Sequence, residues 1–256
     1  MKTILFCTSY INTPKSWKTR YKRWLNYYRS SHLHSDIILM IDDGATYTPA
    51  DHDLTIALED SSLPKDYSGT LLYRFKNRLG RSSLIDYPGW WRSFLKSAEL
   101  ADYLGADKII HIESDAFLLS GRIVDLLNNI TTGWHVMWSQ HYQFPETAIQ
   151  VICRDQFQAM KDFKRRHESE KISDIAENIL PFTHIHREFI GDRYSEFGRS
   201  RRGIFRSRKF DRFKIFWNNK IFKYMPLDAD FATQVEAQQE VSQRFRDPAL
   251  KQISDR

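Results

Sequence analysis

Cysteine is nearly absent, with Cys7 and Cys153 the two in 256 residues. Two are too few for a disulfide framework, and each lies in an apolar, strand-like context. They read as buried thiols of a reducing compartment, although a single Cys7–Cys153 bridge stays open on sequence alone. Long apolar runs are missing too. Nothing approaches the ~18 consecutive apolar residues of a membrane span. The opening Met-Lys-Thr-Ile-Leu-Phe-Cys is too short for the hydrophobic region of a signal peptide, and residues 9–15 are polar. A cytoplasmic protein is the expectation. Glycine and proline are sparse, at 10 and 8, which excludes a low-complexity chain. No glycine occurs in Thr8-Ser-Tyr-Ile-Asn-Thr-Pro14, so the first apolar run is not followed by a glycine-rich phosphate loop.

What is present is a globular composition, 41% hydrophobic and 14% aromatic, at a length that suits one large domain or a domain plus an extension. The net charge of +6 is unevenly placed. Residues 193–223 are densely basic and interleaved with Phe205, Phe210, Phe213, Phe216, Trp217 and Phe222. Such a segment fits an anionic partner, a membrane surface or a nucleic acid, and fits equally a solvated helix packing its aromatics on the domain.

Apolar periodicity places strands at 2–7, 37–41, 54–58, 109–112, 134–138 and 147–153. Trp17, Tyr21, Trp24, Tyr27 and Tyr28 recur at helical spacing, giving a helix over 16–30 with one apolar stripe and a basic opposite face. Further helices are expected over 92–104, closed by Gly105 in a left-handed conformation, over 121–130, and over 155–179. Residues 61–88, cationic and punctuated by Pro64, Gly69 and Gly80, read as a loop or lid. Residues 231–246 have helical composition. Strand, helix and strand joined by short links form βαβ units, which imply parallel strands.

The apolar strand Ile109-Ile-His-Ile112 ends in Glu113-Ser114-Asp115. Side chains two apart on a strand share a face, so if the extended backbone persists both carboxylates point one way and Ser114 the other. Acids at the end of a buried strand need a cationic neighbour, and in open α/β sheets that end is where ligands bind. A hard divalent cation shared with a phosphorylated ligand answers both needs. A plain strand-to-loop junction with two solvated acids is the competing reading.

Order and spacing of these motifs over residues 1–120 resemble the nucleotide-sugar-binding half of GT-A-fold glycosyltransferases. The matching features are a first strand ending in small polar residues, a second ending in Asp42-Asp43-Gly44, a helix carrying Arg92 and Lys96, and the acid-x-acid triplet at 113–115. The triplet departs from the usual DxD in having Glu113. The resemblance implies a mostly parallel, Rossmann-like α/β sheet flanked by helices. It further implies a catalytic domain over 1–195 (a donor half 1–120, an acceptor half 121–195) and a basic C-terminal extension over 196–256. Asp115 would ligate Mn²⁺ or Mg²⁺, with Glu113 on ribose or at the metal. Asp42 or Asp43 would face the nucleobase, Thr8, Ser9 and Tyr10 would line base and ribose, Ser114 would lie at the same site, and Arg92 and Lys96 would sit near the diphosphate. His184 or His186 would be a further metal ligand. Asp192, then Glu177, would be the base that takes the acceptor's proton.

The implied activity is transfer of a sugar from a nucleoside-diphosphate sugar to a glycan or lipid-linked acceptor, as in bacterial surface polysaccharide synthesis. The basic segment would then dock the enzyme on the inner membrane face. No nucleic-acid partner is expected, since such a module leaves both acidic motifs unexplained. Nucleotidyl transfer onto a sugar phosphate is disfavoured by the missing glycine loop. A second triplet, Asp228-Ala-Asp230, is the better DxD by pattern, but Pro226 and a basic aromatic segment precede it where a βαβ unit is required.

Overall fold

The computed structural model describes residues 1–83, 86–167, 172, 174–196 and 225–235. Of the basic aromatic segment 193–223, all but residues 193–196 lie outside these, as do residues 236–246 of the polar tail. The parallel strands are β1 (Thr3–Ser9), β2 (Ile37–Asp42), β3 (Leu54–Leu58), β4 (Gly69–Arg74) and β5 (Lys108–Ile112). β-Branched and aliphatic residues dominate them, and β2 and β5 are buried along their whole length, as strands covered on both faces are. After the short β6 (Phe117–Leu118) come β7 (Trp134–Ser139) and β8 (Phe144–Cys153), an antiparallel pair, and the edge strand β9 (His184–His186). β8 lies antiparallel to β5. The resulting sheet has eight strands in the order β3-β4-β2-β1-β5-β8-β7-β9.

Helices cover both faces. On one lies the helical run 14–29, made of α1 (Pro14–Ser16), a π-turn over Trp17–Tyr21 and α2 (Lys22–Arg29), together with α4 (Gly121–Asn129). Trp24, Leu25 and Tyr28 pack there against Met40, Ile110 and Ile112. The other face carries α3 (Pro88–Tyr103), α5 (Phe157–Arg166) and the short α6 (Ala176–Ile179), with Phe94, Ala98 and Phe163 against Ile4, Ile109 and Trp134. This is the helix-flanked, mostly parallel α/β sheet expected from the sequence. Among the described residues no helix is long and apolar enough to cross a membrane, and both cysteines are buried free thiols.

Three expectations change. Residues 61–88 are not only a loop, because β4 emerges from them and takes a place between β3 and β2. Its short Leu71-Leu72-Tyr73 core was masked by the cations and prolines around it. The expected helix over 155–179 is interrupted: α5 stops at Arg166 and α6 begins at Ala176. The polar tail starts as a strand, β11 (Phe231–Ala232), which joins β6 and β10 (Gly191–Asp192) in a small second sheet of order β10-β11-β6. Residues 225–235 are thereby built into the main domain.

One buried cation holds this frame. Lys108 on β5 is 1% exposed, and its ammonium donates to the carbonyls of Leu127 at 3.0 Å, Asn128 at 2.9 Å and Ile130 at 3.2 Å. These are carbonyls that the end of α4 leaves without helical partners, so the side chain staples α4 to the sheet. Burial lowers the Lys108 pKa. Lys108→Met keeps the apolar stem but orphans the carbonyls, and is expected to cost about 2–3 kcal/mol in urea unfolding. A variant as stable as the parent would show that water caps α4 equally well.

Candidate active site at the carboxyl ends of β1, β2 and β5

The sheet changes direction between β5 and β8, and the acidic triplet lies at that change. Glu113 continues β5, donating its amide to the carbonyl of Ala148 at 2.9 Å. Its carboxylate accepts from the Thr8 hydroxyl, 2.8 Å from each oxygen, and from the Trp90 indole at 2.5 Å. His111 Nε2 lies 3.1 Å from the same Oε1. Strand β1, helix α3 and strand β5 thus meet on one carboxylate. Burial acts to raise the Glu113 pKa, but the bonds from His111, Trp90 and Thr8 outweigh it, and the net shift is downward. His111 itself is fully buried and stacked on Phe6 at 5.1 Å.

Asp115 is different. One oxygen, Oδ2, accepts from Arg20 Nη2 at 2.9 Å, and among the described residues no side chain takes the other. Arg20 also donates through Nε to the Ser114 hydroxyl at 2.6 Å. Desolvation raises the Asp115 pKa, Arg20 opposes this, and the neighbouring Glu113 and Glu146 add to the rise. Glu146 on β8 is fully buried. It accepts from Arg193 at 2.7 and 3.1 Å and from the Thr233 hydroxyl at 3.0 Å.

The Asp42-Asp43 pair serves the loops. Asp42 is wholly buried, with Oδ2 accepting from the Ile11 amide and Oδ1 from the Ala45 amide, both at 2.7 Å, and Arg74 beside it at 3.3 Å. Burial raises its pKa. Asp43 accepts from the amides of Leu79 at 3.2 Å and Gly80 at 2.7 Å and from Arg92. A Cβ on Gly89 would fall 2.2 Å from Asp43 Oδ2, so only glycine allows α3 to start so close to this acid. The base-facing role expected of Asp42 or Asp43 therefore meets carboxylates already engaged by backbone amides. Arg92 lies against Asp43 and over the Phe75 ring at 3.9 Å. Lys96, about one helical turn further along α3, pairs with Glu99 at 2.7 Å. Of the first strand's polar end, Thr8 meets Glu113 and the buried Ser9 hydroxyl has no partner among the described residues. The Tyr10 amide donates to the Tyr21 hydroxyl at 2.9 Å while Arg78 covers the Tyr10 ring at 4.2 Å.

The acceptor-half residues divide. Glu177 and Asp192 reach the same end of the sheet through Arg193, which bridges Glu146 and Glu177, the latter at 2.9 Å. Asp192 is 3% exposed, and both its oxygens are taken, Oδ1 by the Ser139 hydroxyl at 2.7 Å and the Arg193 amide at 2.9 Å, Oδ2 by the His141 amide at 2.7 Å. Glu177 uses Oε1 for Arg193 and for Thr147 at 3.2 Å. His184 and His186 are not brought to Asp115. They lie on β9, with β8 and β7 between them and β5, and strand spacing makes that roughly 14 Å. There they pack on His135, His184 stacked at 4.2 Å and His186 Nε2 at 2.9 Å. In the second triplet Asp228 is exposed. Asp230 is buried, bonded to Arg122, to Ser120 at 2.6 Å and to the Ile190 amide at 2.7 Å, which makes it a joint of the small sheet.

A divalent cation fits this donor set in one way. Among the described residues, the three-ligand group with converging atoms is the Asp51-His52-Asp53 run on the surface, away from the triplet. Magnesium-like ions, however, bind proteins through one or two carboxylates and take the remaining ligands from phosphate and water. Asp115, with one oxygen free of side-chain partners and two further acids near it, offers such a foothold. Sequence reasoning missed Arg20, Trp90, His111, Glu146 and Arg193. Arg20 and Trp90 lie on helices whose periodicity signals burial alone, and Glu146 and Arg193 carry no motif.

The fold and site define an α/β protein with helices on both faces of a mostly parallel sheet and an acidic end to its central strand. No family model matches the chain, and no curated protein matches it. Several solved structures resemble it distantly, among them the following three. A glycosyltransferase involved in the glycosylation of the major capsid of PBCV-1 is similar over 92% of this chain and 96% of that one, with TM-score 0.40 and 8% identity. The glycosyltransferase GlyE of Streptococcus pneumoniae TIGR4 is similar over 92% of this chain, with TM-score 0.42 and 10% identity, and this chain spans 54% of its length. A putative nucleotide-diphospho-sugar transferase from Desulfovibrio desulfuricans G20 is similar over 88% of this chain and 99% of that one, with TM-score 0.33 and 14% identity.

The Glu113 cluster carries a pH signature. Its folded pKa is depressed, so it contributes stability above the unfolded carboxyl range and loses it as pH falls through the folded value. Glu113→Gln is expected to cost about 2 kcal/mol at pH 7, with the gap to the parent closing below the ordinary 4.5. Urea unfolding at stepped pH reads this, and a pH-independent gap would exclude charge as the source.

Proposed function

We propose that the chain is a glycosyltransferase moving a sugar from a nucleoside-diphosphate sugar to a hydroxyl of a glycan or lipid-linked acceptor. The observation that supports this most is the division of labour in the acidic triplet. Glu113 is locked by Thr8, Trp90 and His111, while Asp115 keeps an oxygen available at the strand end where α/β sheets bind ligands. A bound Mn²⁺ or Mg²⁺ would neutralise charge developing on the leaving diphosphate. Asp115 would hold it, and Glu113, fixed in place, would orient the turn that presents Asp115. Thr8 and Tyr10 border the ribose and base side of this end, with Arg78 stacked on Tyr10 as a cationic wall.

For the acceptor's proton, Glu177 is the better base. Its Oε2 has no partner among the described residues, whereas Asp192 accepts on both oxygens and ties down the β7–β8 hairpin tip. Arg193 fixes Glu177 from one side, which leaves the free oxygen to meet an incoming hydroxyl.

Two measurements test these roles. Thermal unfolding with a panel of nucleoside diphosphates, with and without Mn²⁺, is expected to show stabilisation, about 2.7 kcal/mol at a hundredfold excess over Kd. Asp115→Asn should lose the part of the shift that needs metal. A panel that leaves Tm unmoved, or an Asp115→Asn protein that shifts like the parent, would remove the donor site from this strand end. Glu177→Gln is expected to lower kcat by ~10²–10⁴-fold with the nucleotide-induced shift intact; unchanged turnover would assign the base elsewhere.

A further inference from the structure

The cation on Asp115 in this structure belongs to the protein. Arg20 sits in the π-turn Trp17–Tyr21, where the Lys22 amide reaches back to the Trp17 carbonyl. Single π-turns inside α-helices concentrate at functional sites, and this one sets two side chains against the strand ends. Tyr21 holds the Tyr10 amide, and Arg20 holds Ser114 and Asp115. The Arg20 side chain is 43% exposed although Asp115 is only 17% exposed, so the guanidinium covers the acid from the solvent side. Its Nη1 has no partner among the described residues. Asp115 is the first cause of its raised pKa.

We propose that Arg20 is a displaceable counter-ion: it occupies Asp115 in the ligand-free protein and moves to the donor's diphosphate when a divalent cation binds Asp115. The proposal rests on the donor-site reading of this strand end. A divalent cation on the open oxygen of Asp115 would stand close to Arg20 on Oδ2, and repulsion between the two weakens the Arg20 contact. The acid of this pair is only 17% exposed, so Arg20 leaves only as the divalent cation takes over its charge. A divalent ion neutralises the donor's diphosphate, but further negative charge develops there as the sugar–phosphate bond breaks, so a further cation is wanted beside it, and the guanidinium fork matches phosphate oxygens in pairs. The Arg20 side chain is 43% exposed, so a change of rotamer has room on the solvent side.

The test is Mn²⁺ binding, read by EPR on the parent protein and on Arg20→Gln and Ser114→Ala, without nucleotide. Arg20→Gln should bind Mn²⁺ on the order of tenfold more tightly. Ser114→Ala, which loosens the Nε anchor but keeps the charge, should shift the same way by less. With Mn²⁺ saturating, Arg20→Gln should bind the nucleoside diphosphate on the order of tenfold more weakly. Unaltered Mn²⁺ affinity in Arg20→Gln, or unaltered diphosphate affinity, would overturn the exchange. A parent protein that binds no nucleoside diphosphate at any Mn²⁺ concentration would remove the donor-site reading, and this proposal with it. Binding that Arg20→Gln leaves untouched would remove the exchange alone.

Discussion

A buried carboxylate is tolerated only when hydrogen-bond donors surround it, and at Glu113 that requirement joins three elements. The Thr8 hydroxyl ends β1, the Trp90 indole begins α3, and His111 precedes the acid on β5. None can move without leaving charge uncompensated in an apolar layer formed by Phe6, Phe94 and Trp134. The geometry of the strand end is therefore a consequence of electrostatics as much as of packing. The acid that remains incompletely engaged, Asp115, is presented by a turn that cannot shift.

The same device recurs at the loop crossings. Asp42 ties residues 11 and 45 to the end of β2, Asp43 ties residues 79 and 80 to the start of α3, Asp192 ties the β7–β8 tip, and Asp230 ties β6, α4 and β10. In each case a carboxylate satisfies backbone amides that no strand or helix serves. Among the described residues, acids thus repeatedly serve the protein's own backbone. What separates Asp115 and Glu177 from the others is an oxygen left open beside a partly exposed cation.

Several features were legible in the residues themselves. The run 37–41 has no polar break and 109–112 is broken only by His111, and a sheet buried on both faces is the place for them. Gly105 closes α3 with φ +67°, as its position after the apolar stripe implied. The triplet 113–115 is at a strand end near other acids, but strand alternation does not set its side chains. Residues 114–115 form a turn, the Ala116 amide donates to the Glu113 carbonyl at 2.9 Å, and Arg20 meets both Ser114 and Asp115. Less legible was β4, because three apolar residues amid cations carry too little periodicity to register. The roles of Asp42 and Asp43 were also hidden, since an acid that binds a ligand and an acid that caps an amide look alike in sequence.

The amino-acid order by itself determined the parallel core, its helical covers and the acidic end of β5, because burial imposes periodicities that are local along the chain. Tertiary structure alone decided which acids are spent on the protein's own amides and which stay open. That outcome depends on contacts between residues about a hundred positions apart, Thr8 with Glu113 and Arg20 with Asp115 among them. It also decided that His184 and His186 lie across two strands from the triplet. Lateral order in a sheet is set by how connections cross its faces, and spacing in sequence does not encode it.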